Sequence, residues 1–240
     1  SIRNHFIKPL YFSDIVSIFN NDSKLPGITF EARRVSYKFK NNITGLHEVD
    51  FTESSGRLVG IMGSSGAGKS TLLKILNGSM PPDRGEVFIN GSDIYSDRQK
   101  VEGLIGHVSQ DDLLMEDLTV KQNLLDNARL CFDNYTPAQT DQAVDNMLYS
   151  LGLFDIKDIQ VGTPLNKKIS GGQRKRLNIA LELIREPAIL FLDEPTSGLS
   201  SRDSENIMDL LKDLTLKGKL IFVVIHQPSS DIFKMFDRLL

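Results

Sequence analysis

The sequence predicts an α/β fold with a mainly parallel sheet, an antiparallel β subdomain and an inserted helical subdomain. Short apolar runs, typical of buried strands, alternate with stretches whose apolar residues recur at helical spacing. The runs occupy residues 58–62, 104–109, 188–192 and 219–225. This alternation of strand and helix favours a parallel sheet as the centre of the fold.

The antiparallel and helical parts are predicted from local signals. An Asn90-Gly91 turn after a short strand-like run predicts a β-hairpin. Capping boxes begin at Thr119 and Thr136, and the second has a proline at its first helical position. We therefore expect a helical subdomain at about residues 111–170, inserted in the α/β core.

A glycine-rich loop after the first apolar run fits the pattern Gly-x4-Gly-Lys-Ser/Thr. With the residue that follows it, the loop comprises Gly63, Ser64, Ser65, Gly66, Ala67, Gly68, Lys69, Ser70 and Thr71. The glycines let successive N–H groups face one anion, Lys69 adds a positive charge, and Ser70 places a hydroxyl where a nucleotide-bound Mg²⁺ needs a ligand. The order of strand, loop and helix predicts a P-loop NTPase core, with ATP and Mg²⁺ as cofactors. A dinucleotide-binding loop is excluded because Thr71, and not glycine, follows Gly68 by three residues.

Two adjacent acids, Asp193 and Glu194, end the apolar run at 188–192. Neighbouring residues of a strand point to opposite faces, so the two carboxylates have different roles. We assign Asp193 to the Mg²⁺ shell and Glu194 to the general base that activates the attacking water. In isolation the pair also fits a solvated acidic turn before Pro195, but beside a P-loop that interpretation is the weaker one.

Two further polar residues, Gln110 and His226, follow the apolar runs at 104–109 and 219–225. Ligands of open α/β sheets bind beyond the carboxyl ends of the strands, so both residues can position water or contact a γ-phosphate. Gln110 is also expected to reach the metal. Taken singly, each residue also fits an ordinary polar loop position. The remaining histidines lack ligand spacing and are expected to be structural: His5, His47 and His107.

Together these motifs resemble the nucleotide-binding domain of an ABC ATPase over residues 29–240. The resemblance adds a signature sequence that follows Ile169, namely Ser170, Gly171, Gly172 and Gln173. In the terms of that family, the glycine-rich loop is the Walker A motif, the two acids belong to Walker B, Gln110 is the Q-loop residue and His226 the H-loop residue. The stretch 225–233 further resembles the G (white/pigment) subfamily of lipid and drug exporters.

The resemblance implies a head-to-tail dimer in which two Mg-ATP molecules lie between two nucleotide-binding domains. In this family the signature residues of one chain contact the γ-phosphate bound by the Walker A motif of the other. Ser170, Gly171 and Gly172 open a predicted helix, whose N-terminal N–H groups form a second anion site. The other implied partner is a transmembrane domain, which binds the helical subdomain at the cytoplasmic face of a membrane.

Three details of the resemblance stay open. The family's D-loop usually ends in Asp where this chain has Ser200, so coupling between the two ATP sites is the property that this departure affects. The aromatic residue that stacks on adenine is Phe39 by alignment, with Tyr37 as the alternative. The basic run at 174–176 fits either a surface charge run or positive charge behind the signature sequence.

Composition excludes other classes of function. The chain has 28 Lys and Arg against 31 Asp and Glu, and this net charge of −3 predicts no nucleic-acid partner. Its apolar runs are shorter than the roughly 18 to 20 residues of a membrane span, so a transmembrane domain is expected elsewhere. The single cysteine, Cys131, excludes an internal disulfide. Residues 1–28 have no clear period and are expected to be an N-terminal flank or a linker, in a chain that starts without Met as an excised fragment does.

The sequence thus predicts the ATPase domain of an ABC exporter, with two alternatives. A soluble ABC ATPase acting on DNA or ribosomes is expected to have a long coiled-coil insertion or two tandem cassettes, which this sequence lacks. A regulatory module that dimerises on ATP without useful turnover is favoured by Ser200, whereas the presence of Glu194 and His226 argues against it.

Overall fold

The structure is a computed structural model that describes residues 27–39, 44–132, 134–163 and 166–240. The predicted linker at residues 1–28 lies outside the described residues, apart from its last two positions. In the described part the strands are β1 (Thr29–Lys38), β2 (Thr44–Ser54), β3 (Leu58–Ile61), β4 (Arg84–Ile89), β5 (Ser92–Asp93), β6 (Ile105–Val108), β7 (Ile189–Asp193), β8 (Leu220–Val224) and β9 (Arg238–Leu239). The helices are α1 (Lys69–Leu76), α2 (Arg98–Val101), α3 (Val120–Cys131), α4 (Pro137–Ser150), α5 (Gly171–Leu183), α6 (Ser201–Leu216) and α7 (Ser230–Lys234), and a 3-10 turn occupies Phe154–Ile156.

Five parallel strands of the described chain form the main sheet, in the spatial order β6-β7-β8-β3-β9. The predicted α/β class with a mainly parallel sheet is therefore confirmed. Because the strands run in the same direction, the segments that follow β6, β7, β8 and β3 meet at one edge of the sheet. These segments hold Gln110, the two acids, His226 and the glycine-rich loop, in that spatial order.

Both faces of this sheet are buried at its central strands, which explains why β3 and β8 have no polar side chain at any position. On one face Leu190 and Ile221 pack among helices α3 to α6. On the other face Phe191 and Phe222 stack with their ring centroids 4.8 Å apart. Phe30 of β1 lies 5.2 Å from the ring of Phe222, so the antiparallel strands pack on this second face.

The antiparallel sheet has the order β2-β1-β4-β5 in the described residues. Strands β4 and β5 form the predicted hairpin. Its turn residues, Asn90 and Gly91, have φ of 50° and 79°, and two positive φ angles are what a tight hairpin turn of this sequence requires. The predicted antiparallel part of the fold is confirmed.

Helices α3 and α4 pack on each other, and α3 also packs on α5. Thr119 and Thr136 are their N-caps, and each forms the predicted capping box with the glutamine three residues later. The helices are joined to the sheet through α5, which packs on the edge strand β6. The boundary of a helical subdomain at residues 111–170 stays a prediction.

The helices of the described residues are short. The longest of them, α6, has 16 residues. Over the same parts of the chain, no helix combines the length and the apolar character that crossing a bilayer demands.

Candidate functional site

The glycine-rich loop joins β3 to α1 and curls around the ammonium group of Lys69. Nζ of Lys69 donates hydrogen bonds to the carbonyl oxygens of Gly63 and Ser64, both at 2.8 Å, and the residue is only 7% exposed. Gly68 has φ of 87°, and a Cβ there would lie 2.5 Å from the Gly45 carbonyl oxygen, so only glycine fits. The predicted phosphate-contacting residues from Gly63 to Ala67 lie on the exposed side of this loop.

The start of α1 carries the remaining predicted ligands of this loop. Ser70 is exposed and Thr71 is half-buried, both in the first turn of the helix. A helix N-terminus with unpaired N–H groups favours an anion, and an exposed hydroxyl beside it can bind a cation that accompanies the anion. Their roles as nucleotide and metal ligands remain predictions.

Phe39 lies beside the same loop. Its ring is 42% exposed and meets the ring of Tyr37 edge to face, with centroids 5.4 Å apart. A Cβ at Gly45 would lie 2.7 Å from the Phe39 ring, and the Gly45 carbonyl abuts Gly68 of the loop. The exposed ring next to the loop favours Phe39 over the less exposed Tyr37 as the aromatic partner of a bound base.

Glu194 lies at the centre of a hydrogen-bonded group formed by three neighbouring strand ends. Nε2 of His226 is 2.8 Å from one carboxylate oxygen, and Nε2 of Gln110 donates to the other at 3.2 Å. The backbone is fixed as well, because the N–H of Glu194 donates to the carbonyl of Val224 at 3.0 Å while φ is 47°. A non-glycine residue in this region is held by its surroundings, as functional residues often are. The three predicted catalytic residues thus meet in one place.

Asp193 lies apart from this group, as the alternation along β7 predicts. Burial raises the pKa of its carboxyl, and the charge of Glu194 raises it further, while His107 and Lys74 act in the opposite direction. In the described residues, its buried oxygen Oδ1 has no hydrogen-bond partner. A buried carboxylate oxygen without a partner suits a divalent cation, so Asp193 and Ser70 fit the Mg²⁺ ligand set that their positions predict.

His107, predicted to be structural, lies in the electrostatic range of Asp193. Burial lowers the pKa of its imidazole, and Asp193 and Glu182 partly oppose this effect. Its position opposite Phe191 in the paired strands puts it on the same face as Asp193. Alternation along β6 assigns His107 to one face of that strand, but only the pairing of β6 with β7 brings it to Asp193.

The signature sequence opens α5 as predicted. Ser170 is the N-cap, its hydroxyl accepts from the N–H of Gln173 at 3.1 Å, and the Gln173 side chain accepts from the Ser170 N–H at 2.7 Å. Gly171 and Gly172 form the first turn of the helix. Helix α5 packs on β6, whereas the P-loop follows β3, three strands further across the sheet. At the usual strand spacing, β6 and β3 are about 14 Å apart. The structure therefore does not bring this chain's signature sequence to its own P-loop.

The basic run at 174–176 does not form a surface charge run. Arg174 is 6% exposed and binds both carboxylate oxygens of Asp112, at 2.9 and 3.0 Å. Nζ of Lys175 donates to the Gln110 carbonyl at 3.0 Å. Burial lowers the pKa of the Arg176 guanidinium, and Asp203 opposes the shift. The surface interpretation is wrong, because α5 turns these side chains inward to the Q-loop and to α6.

Ser200, the departure in the D-loop, is the N-cap of α6. Its hydroxyl accepts from the N–H of Asp203 at 3.1 Å and donates to the carboxylate Oδ2 at 2.9 Å. The other carboxylate oxygen of Asp203 lies against the signature helix, since a Cβ on Gly172 would meet it at 2.6 Å. A carboxylate is therefore present at the seam between α5 and α6, three residues after the position where the family usually has one.

For the ATPase that the sequence predicts, we expect Ser200→Asp to change the cooperativity of hydrolysis more than ATP affinity, because the D-loop of the resembled family faces the partner domain and not its own phosphates. The added carboxylate also lies against Asp203. Stability should change by less than about 1 kcal/mol, since Ser and Asp are similar N-caps. Hydrolysis measured against ATP concentration gives the Hill coefficient, and Ser200→Asn is the uncharged control. Equal Hill coefficients for the parent and both variants would show that the substitution is neutral.

A cavity of about 940 Å³ adjoins the P-loop on the side of the H-loop. It joins Gly63 to His226 and extends towards α7, where Phe233 and Lys234 lie. The cavity leaves room for a bulky group between the first residues of the P-loop and the segment that follows β8.

Comparison with known proteins agrees with these arrangements. The family model described as ABC transporter matches residues 46–197. ABC transporter G family member 28 of Arabidopsis thaliana is 39% identical over 97% of this chain and 21% of its own length. Human ATP-binding cassette sub-family G member 8 is 36% identical over 82% of the chain and 29% of its own length. This chain thus spans about a fifth to under a third of these curated relatives.

A solved structure supports the same fold. The chain described as cbiO1 from Clostridium perfringens, part of the ABC transporter complex cbiONQ, is 29% identical with a TM-score of 0.73. The match covers 82% of this chain and 78% of that one. With the family model matching residues 46–197, the chain belongs to the ABC transporter family, and its similarity to G-family members agrees with the resemblance found in its sequence.

Proposed function

We propose that this chain binds and hydrolyses ATP with Mg²⁺, as the nucleotide-binding domain of a transporter. The observation that carries the proposal is the row of strand ends, where Gln110, Glu194 and His226 form one hydrogen-bonded group beside the P-loop. The family is one of ATPases, and the ligands of such a sheet bind at this edge.

Each group in the row has a chemical task in this proposal. Glu194 orients the attacking water and accepts its proton, while Gln110 and His226 hold the carboxylate in place. Lys69 exchanges its two loop carbonyls for phosphate oxygens and neutralises their charge. Asp193 and Ser70 would hold Mg²⁺, which would supply positive charge that offsets the negative charge of the phosphates. Most of the rate enhancement then comes from positioning and electrostatics.

The complete ATP site includes a second nucleotide-binding domain, bound head to tail. The start of α5 is an anion site that lies away from the P-loop of its own chain, because α5 packs on β6 and the P-loop follows β3, three strands across the sheet. Ser170, Gly171, Gly172 and Gln173 therefore contact the nucleotide that the partner's P-loop binds. Two ATP molecules lie between the two domains, and hydrolysis releases the dimer.

We infer that ATP-driven closure of this dimer drives transport by a transmembrane domain, which the dimer binds at the cytoplasmic face of a membrane. The relatives are named as transporters of the G family, and the chain corresponds to only part of their length. The helical part that contains α3 and α4 follows the Q-loop directly, so a transmembrane domain bound there would sense the position of Gln110.

Mixing two inactive variants tests the shared site. Lys69→Ala removes the phosphate charge and should abolish ATP binding at its own P-loop, whereas Ser170→Arg blocks the signature. Mixed dimers have one intact site, made from the good P-loop of one chain and the good signature of the other. At equal amounts we expect roughly a quarter of the parent rate of phosphate release, because half of the dimers are mixed and each has one of two sites.

The result is read together with light scattering, which reports dimerisation of the same mixture. Recovered hydrolysis supports the head-to-tail arrangement. Mixed dimers that bind ATP and show no recovery would contradict it, and a Lys69→Ala chain with the parent's ATP affinity would contradict the phosphate role of the loop.

A further inference from the structure

The helix that begins with the signature sequence also holds the Q-loop, here residues 109–112. Nζ of Lys175 donates to the carbonyl oxygen of Gln110 at 3.0 Å and lies 3.4 Å from that of Ser109. The side chain of Gln110 donates in turn to Glu194 at 3.2 Å. One lysine of α5 thus fixes the backbone of the residue whose amide contacts the proposed general base.

The preceding residue of the helix, Arg174, anchors the far end of this loop. Both nitrogens of the Arg174 fork bind Asp112, at 2.9 and 3.0 Å, and the third nitrogen donates to the carbonyl of Gly162 at 2.5 Å. The guanidinium is almost fully buried. A bidentate pair fixes direction as well as distance, so the Q-loop can shift little along α5 at this end.

Lys175 itself is not a solvated surface lysine. Burial lowers the pKa of its ammonium, and the nearby carboxylates of Asp112 and Asp193 oppose that shift. An ammonium that has lost part of its hydration needs hydrogen-bond acceptors, and the two Q-loop carbonyls supply them. The contact is therefore a packed, directional one and not an incidental approach of a flexible side chain.

We propose that Lys175 is a positioning residue for hydrolysis, which holds the Q-loop backbone so that the Gln110 amide stays against Glu194. The inference rests on the proposed function, in which Glu194 is the general base. Lys175 lies on the helix that Ser170 begins. A displacement of α5 would therefore move Glu194 through two hydrogen bonds, from Lys175 to the Gln110 carbonyl and from the Gln110 amide to Glu194. The anion site of α5 and the base of this chain's own ATP site are thereby connected within one chain.

Lys175→Met, which keeps the length of the side chain and removes its donor, tests the proposal. We expect kcat for ATP hydrolysis to fall about tenfold while the ATP dissociation constant stays within about twofold, because the base is displaced and the phosphate loop is not. Lys175→Arg keeps a donor for the two carbonyls and should retain most of the rate. Lys100→Met removes an equal charge from a side chain that is 66% exposed and should match the parent.

A double-mutant cycle separates positioning from a general effect of charge or folding. If Lys175 acts through Gln110, adding Lys175→Met to a Gln110→Ala chain should lower kcat no further. A full additional tenfold loss in that background would overturn the inference, as would an unchanged kcat in the single variant. Thermal unfolding of each variant identifies a folding defect. If Lys175→Met has one, the kcat values of Lys175→Arg and Gln110→Ala are compared instead. The proposed function is tested separately, by whether ATP hydrolysis depends on Glu194, and that result does not depend on the role of Lys175.

Discussion

Replacing Glu194 by Gln is expected to lower the rate of ATP hydrolysis by about 10² to 10⁴ and to leave ATP affinity nearly unchanged. Glutamine fills the same volume and can still accept from His226, which approaches the carboxylate at 2.8 Å. It cannot take a proton from water at neutral pH. The loss should therefore fall on kcat. In the proposed head-to-tail dimer, the ATP-bound form should accumulate because hydrolysis is the step that reopens it.

Phosphate release and nucleotide binding measured on the same preparation check this expectation. Glu102→Gln, at an exposed position outside the strand ends, is the control for removal of one carboxylate and should match the parent. Phosphate release at the parent rate in Glu194→Gln would remove the assignment of the general base. A loss of ATP binding as large as the loss of rate would show that the carboxylate serves binding instead.

Much of the core could be predicted from the sequence because burial on both faces leaves a simple signal. Strand β8 is apolar throughout and β7 is apolar up to Asp193. The polar residues of the ligand edge come next in the chain, Glu194 directly after β7 and His226 two residues after β8. What the sequence does not contain is the spatial order of the strands. Pairing of β7 with β8, and the resulting contact of Glu194 with His226, depends on packing between segments far apart in the chain.

The basic run of α5 shows the limit more directly. Arg174 and its partner Asp112 are 62 residues apart, and no local spacing links them. A charged run on a helix is usually solvated. That Arg174 is buried follows from how α5 packs in the fold, because this packing turns the side chain inward. Ser200 differs, because its contact with Asp203 has the three-residue spacing of a helix N-cap, which the sequence does contain.

Asp112→Ala is expected to destabilise the fold by about 3 kcal/mol, although Asp112 touches no predicted ligand of ATP. The change leaves the guanidinium of Arg174, with 7% of its side chain exposed, without a counter-charge and with backbone carbonyls as its remaining acceptors. An uncompensated buried charge costs more than the pair contributes. Because Asp112 itself stays 28% exposed, the effect lies at the low end for a buried ion pair. Urea unfolding of parent and variant gives the difference.

A second ion pair of the chain provides a matched control for this prediction. Arg33 and Glu31 form the same bidentate contact, at 2.7 Å for each hydrogen bond, and Glu31 is 29% exposed, close to the value for Asp112. The arginine differs, since 53% of the Arg33 side chain is exposed and water can replace the lost partner. Glu31→Ala should therefore destabilise far less than Asp112→Ala. Adding Arg174→Met to Asp112→Ala should recover much of the lost stability, because it removes the buried charge that has no partner. Equal effects of Asp112→Ala and Glu31→Ala on stability would show that burial of Arg174 does not determine the cost.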